Sequence, residues 1–383
     1  MKYDFNISKY AKLWNSRDGR QLLQIFVNSP DIIKALPAFW KSQFGIDSEI
    51  IPRNPDGTAV FGADMKSNGL ERMLDWRAPL GESLVRDKKG VSRYTGTVPD
   101  FIAKGFVEQA MERENKEKMY QEYGTDAELL DGFADILTEM VMEADSTMSH
   151  MAAQALSTGQ VIYNVGDGIT GPIYKAPIPE DNFVAGGSVS WADNANCKLL
   201  DQMEKIEQDF RDRTAFAGAF KWQMTRAMFN NYVLKNAQVV EYISNWRTIN
   251  DKPNVAGWNV NEKMFNEAFA TENPKISPIE VIEETQYNNG IAVHGWAANI
   301  AVLRPQGLAG RVKQADILDK RMAEKYGSSV IERVFAKRDI YTIMNTTLNN
   351  GNYKEWHTDL FVAGVPALEE FLNHVIVATT TTV

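Results

Sequence analysis

The residues able to do chemistry are few and scattered. The chain holds four histidines, His150, His294, His357 and His374, and one cysteine, Cys197. No two histidines stand at i,i+4 or at another metal-ligand spacing, and His150 reads as an ordinary helix residue. Cys197 has no partner for a zinc site. As a nucleophile it would need a basic neighbour, and Asp193 and Asp201 argue the reverse. Gly166-Asp167-Gly168-Ile169-Thr170-Gly171 fits GxGxxG after a strand-like run. A dinucleotide site also needs a helix to begin there, so that its N–H groups meet the pyrophosphate. Pro172, Pro177 and Pro179 follow instead, and a glycine-rich turn is the expected structure. Neither GxxxxGK[ST] nor GxSxG occurs. Glu139 and Glu143 could pair at i,i+4, but a solvated helix face explains them better, as a hydrated turn explains Lys88 and Lys89. In 383 residues this lack of a convergent set points away from an enzyme and toward a structural or binding role. No catalytic residue, metal or cofactor is expected.

The dominant element is one long helix from about Asp126 to Thr158. Thr125-Asp126-Ala127-Glu128 has the form of a capping box. Leu129, Leu130, Phe133, Ile136, Leu137, Met140, Val141, Ala144, Met148, Met151, Ala152, Ala155 and Leu156 then recur at helical spacing and make one apolar stripe. Asp131, Asp135, Glu139, Glu143 and Asp145 are read as the solvated face. Gly159 stands where a left-handed C-cap is usual. Such a rod, about 50 Å long at 1.5 Å per residue, needs a wide surface to lie against.

The other elements are shorter. Residues 1–70 read as an arm with short helical patterns and a small loop or hairpin. Pro79–Arg86 and Val91–Pro99 alternate around the charged turn Asp87-Lys88-Lys89-Gly90. They form a hairpin with too little apolar surface to fold alone; it is either a solvated ribbon or one that reaches onto another subunit. Glu108–Lys118 reads as a solvated, charge-laced helix. Gln160–Val165 reads as a strand, residues 194–212 and 225–243 as amphipathic helices, and Pro278–Ile282 and Ala298–Leu303 as strands. Val330–Phe335, Ile340–Met344 and Val375–Thr379 complete a β-leaning end. The order is α+β and not alternating βαβ.

The net charge of −9 and pI near 5.2 argue against a broad phosphate-binding surface. A lone cysteine precludes an intrachain disulfide. No signal-peptide pattern or run of about 18 apolar residues is present, so no membrane span is expected.

Several segments resemble the major capsid proteins of tailed bacteriophages, specifically the lambda-type major capsid protein E family. The likeness is carried by Leu137–Val141 through Met151–Val161, by Trp76–Glu82 followed by Tyr94–Lys104, by Ala219–Met224, by Ile300–Leu308, and by Val365-Pro366 with Val375–Thr379. It is spread over about residues 70–383 as matches in the right order, with no single diagnostic motif.

The resemblance implies a Hong Kong 97-type phage capsid fold. Its parts would be an N-terminal arm (1–70), an extended hairpin loop (71–105), a peripheral domain with the spine helix (106–168), an axial domain (169–310) and return strands of the peripheral domain (311–383). It implies a structural major capsid protein that self-assembles from pentamers and hexamers into an icosahedral head around the phage genome. Assembly would take place in the bacterial cytoplasm and the product would be the virion. A separate scaffolding protein, a portal and a decoration protein are the partners in view, with DNA held by enclosure. Within the hairpin, Trp76, Arg77, Arg86, Arg93 and Tyr94 are expected to touch a neighbouring subunit, since arginine and aromatic residues favour interfaces. An encapsulin-like cellular shell and, further off, a soluble α+β hydrolase are the alternatives.

Overall fold

The computed structural model describes residues 38–66, 91–109, 126–165, 169–214, 216–249, 262–269, 276–283, 286–288, 291–317, 331–349 and 354–382. In chain order the elements are α1 (Phe39–Phe44), β1 (Ser48–Ile50), β2 (Val60–Lys66), β3 (Val91–Thr97), β4 (Asp100–Gln109), α2 (Asp126–Thr158), β5 (Gln160–Val165), β6 (Ile169–Lys175) and β7 (Phe183–Gly187). Then come α3 (Leu199–Thr214), β8 (Phe220–Thr225), α4 (Ala237–Ile249), α5 (Glu262–Phe269), β9 (Ile279–Ile282), β10 (Gln286–Asn288), β11 (Ile291–Val293) and β12 (Ile300–Pro305). The chain closes with β13 (Gly310–Gln314), β14 (Ile331–Arg338), β15 (Tyr341–Asn349), β16 (Lys354–Leu368) and β17 (Val375–Thr382). The chain divides into two compact units, with breaks at 61/62, 95/96, 152/153, 310/311 and 367/368.

The first unit is built on a six-stranded sheet in the order β1-β13-β16-β15-β14, with β4 also paired to β16. β14, β15, β16 and β4 are antiparallel, whereas β1 runs parallel to β13. From Leu360 to Leu368 every residue of β16 is buried. A strand covered on both faces loses the polar alternation that would reveal it, and this one also contains Gly364 and Pro366. That is why the longest strand went unread in the sequence.

Helix α2 has the expected bounds. Met140, Val141, Ala144, Met148, Met151, Ala152, Ala155 and Leu156 are all buried, as the stripe requires, while Glu139 and Glu143 are exposed. Asp145 is a correction: it is only 6% exposed. It lies four residues from Val141 and from Ser149, within the buried stripe and not on the wet face. The helix ends at Gly159, whose φ of 71° is left-handed and whose N–H bonds the carbonyl of Ala155 at 2.9 Å. A Cβ there would stand 2.5 Å from Ile178 Cδ1, so both conformation and space call for glycine.

The second unit is built on a five-stranded sheet, β7-β17-β12-β8-β9. One face carries Trp222, Ala301, Leu303, Val375 and Val377 into a core shared with Leu200, Met203 and Phe210 of α3, Val239 and Ile243 of α4, and Phe265 and Phe269 of α5. Asn236 caps α4, its Oδ1 accepting from Gln238 N at 3.1 Å. The cap places the helix later than the expected 225–243, after a short helical turn at 226–233.

Three more expectations change. β17 pairs with β12 and β7 in this second sheet, so residues 368–382 do not return with 311–367. The described partner of β3 is β2, the expected hairpin arm 79–86 lies outside the described residues, and 100–105 belong to β4 in the first sheet. Glu108 and Gln109 are strand residues; the rest of the expected helix, like residues 1–37, Thr125 and 67–90, lies outside the described residues.

Candidate assembly surfaces and the residues that hold them

The β2–β3 ribbon is the base of the segment expected to reach a neighbour. β3 alternates: Arg93, Thr95 and Thr97 are exposed, whereas Tyr94, Gly96 and Val98 are buried. The Arg93 guanidinium lies over Gly62, with Nη2 2.6 Å from where a Cβ would be. Tyr94 departs from expectation, since its ring packs inside its own unit at 7% exposure. The ring centroid is 5.3 Å from that of Tyr174 and 5.6 Å from that of Phe371. Its hydroxyl donates to the Leu368 carbonyl at 2.7 Å, while Leu368 N donates to the Tyr174 hydroxyl at 3.3 Å. Burial, with Tyr174 and Glu369 nearby, raises the Tyr94 phenol well above its ordinary range. Alternation should have flagged this, because a strand with one wet face must turn its aromatic inward. Trp76, Arg77 and Arg86 lie outside the described residues.

In the first unit the spine is tied down by a buried carboxylate. Asp145 accepts from Trp40 Nε1 at 2.8 Å, from Lys41 Nζ at 2.8 Å and from the Tyr341 hydroxyl. Lys41 also stands 5.4 Å from the ring centroid of Trp40 and 5.7 Å from that of Tyr341. A buried anion is tolerable only when its lone pairs are met. Here one side chain of α2 gathers α1 and β15.

The two edges of the second sheet are treated differently. At β9, Asn266 of α5 imitates a neighbouring strand: its Nδ2 donates to the Ile279 carbonyl at 2.7 Å and its Oδ1 accepts from Ile279 N at 2.9 Å. Glu262 accepts from Val281 N at 3.2 Å. That edge is closed against further pairing. At β7 no further strand is paired among the described residues. A groove of about 870 Å³ runs there, floored by Val184–Val189 and walled by Gln202, Lys205, Ile206, Asp209 and Arg213 of α3. Phe183 on this edge is half exposed. On the sheet face away from the helices, the fully buried Arg304 donates to Gln223 Oε1 at 2.9 Å and to the carbonyls of Pro305 and Gly307. Gln223 and Lys221 in turn hold Glu280. Burial draws the Arg304 guanidinium down to about 10, opposed by Glu280 and Glu370.

No group of three or more His, Cys, Asp or Glu able to hold a metal occurs among the described residues. Residues 166–168 lie outside the described residues, and Ile169–Lys175, which follow them, form strand β6, paired antiparallel with β5. Cys197 is buried, and burial together with Asp193 pushes its thiol up to about 11. No helix among the described residues is long and apolar enough to cross a membrane.

No protein-family model matches the chain, and no curated protein does. Among solved structures it is similar to a candidate capsid protein of a prophage from E. coli CFT073. The TM-score is 0.50 at 11% identity, covering 93% of this chain and 97% of that one. The fold is that of a phage capsid protein. Mixed helix and sheet, one spine helix and two sheet-based units make up this α+β capsid fold. Other similar structures are a phage-related protein from Bordetella bronchiseptica RB50 (TM-score 0.41, 11% identity, 97% and 96% covered) and the capsid asymmetric unit of cyanophage A-1(L) (TM-score 0.42, 11% identity, 86% and 89% covered). The likeness of fold rests on the first.

Proposed function

We propose that the chain is a structural major capsid protein that assembles with copies of itself into the head shell of a tailed phage or prophage. The observation that carries this is the capsid fold spanning nearly the whole chain. The scattered chemistry of the side chains agrees with it. Within the Hong Kong 97 plan, which the sequence resemblance to the lambda-type family suggests, the first unit corresponds to the peripheral domain and the second to the axial domain. The segment between β2 and β3 is the extended loop, with Trp76, Arg77 and Arg86 in it and Arg93 at its base as contacts to a neighbouring subunit. The open β7 edge is the side of the axial domain turned to the next copy in a ring, because head-to-tail rings join two unlike surfaces. Closed shells sum many such contacts, each weak on its own.

Assembly in the host cytoplasm on a separate scaffolding protein, a portal at one vertex and a decoration protein complete the reading. DNA is enclosed by an acidic shell without being gripped, since a chain of net charge −9 repels phosphate. Negative-stain microscopy of the purified chain, alone and with its scaffold, tests the proposal. Hexamers, pentamers or closed shells are expected; a compact monomer under all conditions would reject it. Shells loaded with a protein cargo in place of DNA would indicate the encapsulin-like alternative.

A further inference from the structure

The segment that joins β16 to β17 enters the second unit in an unusual state of hydrogen bonding. Its start is well held. The carbonyl and N–H of Leu368 meet the two tyrosine hydroxyls, and the N–H groups of Glu369 and Glu370 both donate to the Ala309 carbonyl at 3.0 Å. The Leu372 carbonyl accepts from Asn182 Nδ2 at 3.0 Å. Its end is not satisfied. Asn373 is 5% exposed and His374 fully buried, yet Asn373 Nδ2 and His374 Nδ1 have no hydrogen-bond partner among the described residues. Two adjacent residues with unmet polar atoms in a core are rare, because each group forgoes the water it would bind when released.

His374 makes one bond. Its Nε2 lies 2.6 Å from the carbonyl of Leu156. A carbonyl only accepts, so Nε2 carries the proton and Nδ1 is the bare nitrogen. Leu156 is in the last turn of α2, where carbonyls lack an intrahelical donor. The imidazole thus joins the end of the spine helix to the start of β17. Among the described residues, the neighbouring elements bring one charge toward it, the guanidinium of Arg304 on β12. Residues 153–158 of α2 and 375–382 of β17 contain no titratable side chain, and the segment itself carries Glu369 and Glu370.

We propose that residues 368–374 form a proton-operated latch: neutral His374 pins the segment to the end of α2, and its protonation releases it. A proton on Nδ1 would add a buried donor with no acceptor and a cation beside Arg304. Release would let this nitrogen and the Asn373 amide reach water together.

The direction of the effect is fixed by linkage. Burial, with Arg304, brings the imidazole down from 6.5 to about 4, and the bond to Leu156 opposes this. The closed form therefore binds the proton less readily than the open one. The latch is fully held above the ordinary histidine value, weakens as pH falls from 6.5 toward 4, and changes no further below that. A displacement of this size corresponds to roughly a 300-fold loss in the closing equilibrium. The device belongs to the single chain and stands or falls independently of shell assembly.

The test is hydrogen exchange of the full-length chain, followed by mass spectrometry between pH 7.5 and 4 and corrected for intrinsic rates. In the wild type, peptides covering 368–382 are expected to lose protection over this range. His374→Gln keeps a donor for the Leu156 carbonyl and cannot take up a proton, so its peptides are expected to stay protected. Full protection of the wild type at pH 4, or parallel loss in both proteins, overturns the proposal. Should His374→Gln fail to fold, NMR of ring-labelled histidine in the wild type decides. An Nε2-protonated imidazole titrating near pH 4 supports the latch, and four imidazoles all titrating near 6.5 overturn it.

Discussion

Removing the carboxylate of Asp145 should damage this chain more than removing any exposed acid from the same helix. The side chains of Asp145 and Lys41 are 8% and 14% exposed, and their charged atoms lie 2.8 Å apart. Little solvent screens them. Asp145→Ala leaves the Lys41 ammonium, the Trp40 indole N–H and the Tyr341 hydroxyl facing an apolar space. Breaking a buried pair from one side costs about 3–5 kcal/mol, a large share of the 5–15 kcal/mol that a domain typically holds. Asp145→Asn keeps an acceptor but loses the charge, and should cost about 1.5–3 kcal/mol, the worth of hydrogen bonds to an ionised group. The double variant Lys41→Met with Asp145→Leu should lose clearly less than the sum of its parts, since no charge is then stranded. Urea unfolding followed by fluorescence and circular dichroism gives these values, with an unchanged m-value confirming a common unfolded state. Glu139→Ala, on the exposed face of α2, serves as the reference and should stay within about 0.5 kcal/mol. An Asp145→Ala variant within about 1 kcal/mol of wild type would show that the carboxylate does not hold α1 and β15 to the spine.

Other outcomes rest on single positions. Gly159→Ala should cost about 1–2 kcal/mol from the left-handed backbone, plus whatever movement Ile178 requires, read as a lower urea midpoint. Asn236→Ala removes the cap of α4 and should cost about 1 kcal/mol by the same measurement. Cys197 should resist alkylation in the native protein at pH 8 and react fully in denaturant, because its thiol ionises only near 11. Rapid native labelling, counted by mass spectrometry, would contradict its burial beside Asp193. Tyr94→Phe should cost about 0.5–1.5 kcal/mol, the usual value of a lost internal hydrogen bond. A Tyr94→Phe chain of unchanged stability that no longer assembles would instead return Tyr94 to the interface.

The amino-acid sequence by itself settled the parts that depend on local periodicity. Helix α2 is legible because 3.6-residue spacing runs unbroken until a glycine takes the left-handed position. Strands β9, β12, β14, β15 and β17 were visible through their β-branched and aromatic runs. The scarcity and scatter of histidine and cysteine were legible too, and they carried the expectation of a structural role. Only the tertiary structure decided pairing and burial. β3 joins β2, and β17 joins β7 and β12, because hydrogen-bond partners distant in sequence leave no local trace. β16 stayed hidden because burial on both faces erases alternation. Asp145 and Tyr94 changed meaning for one reason. A polar or aromatic side chain advertises its chemistry in the sequence, but whether it faces water, a partner or a core depends on elements many residues away.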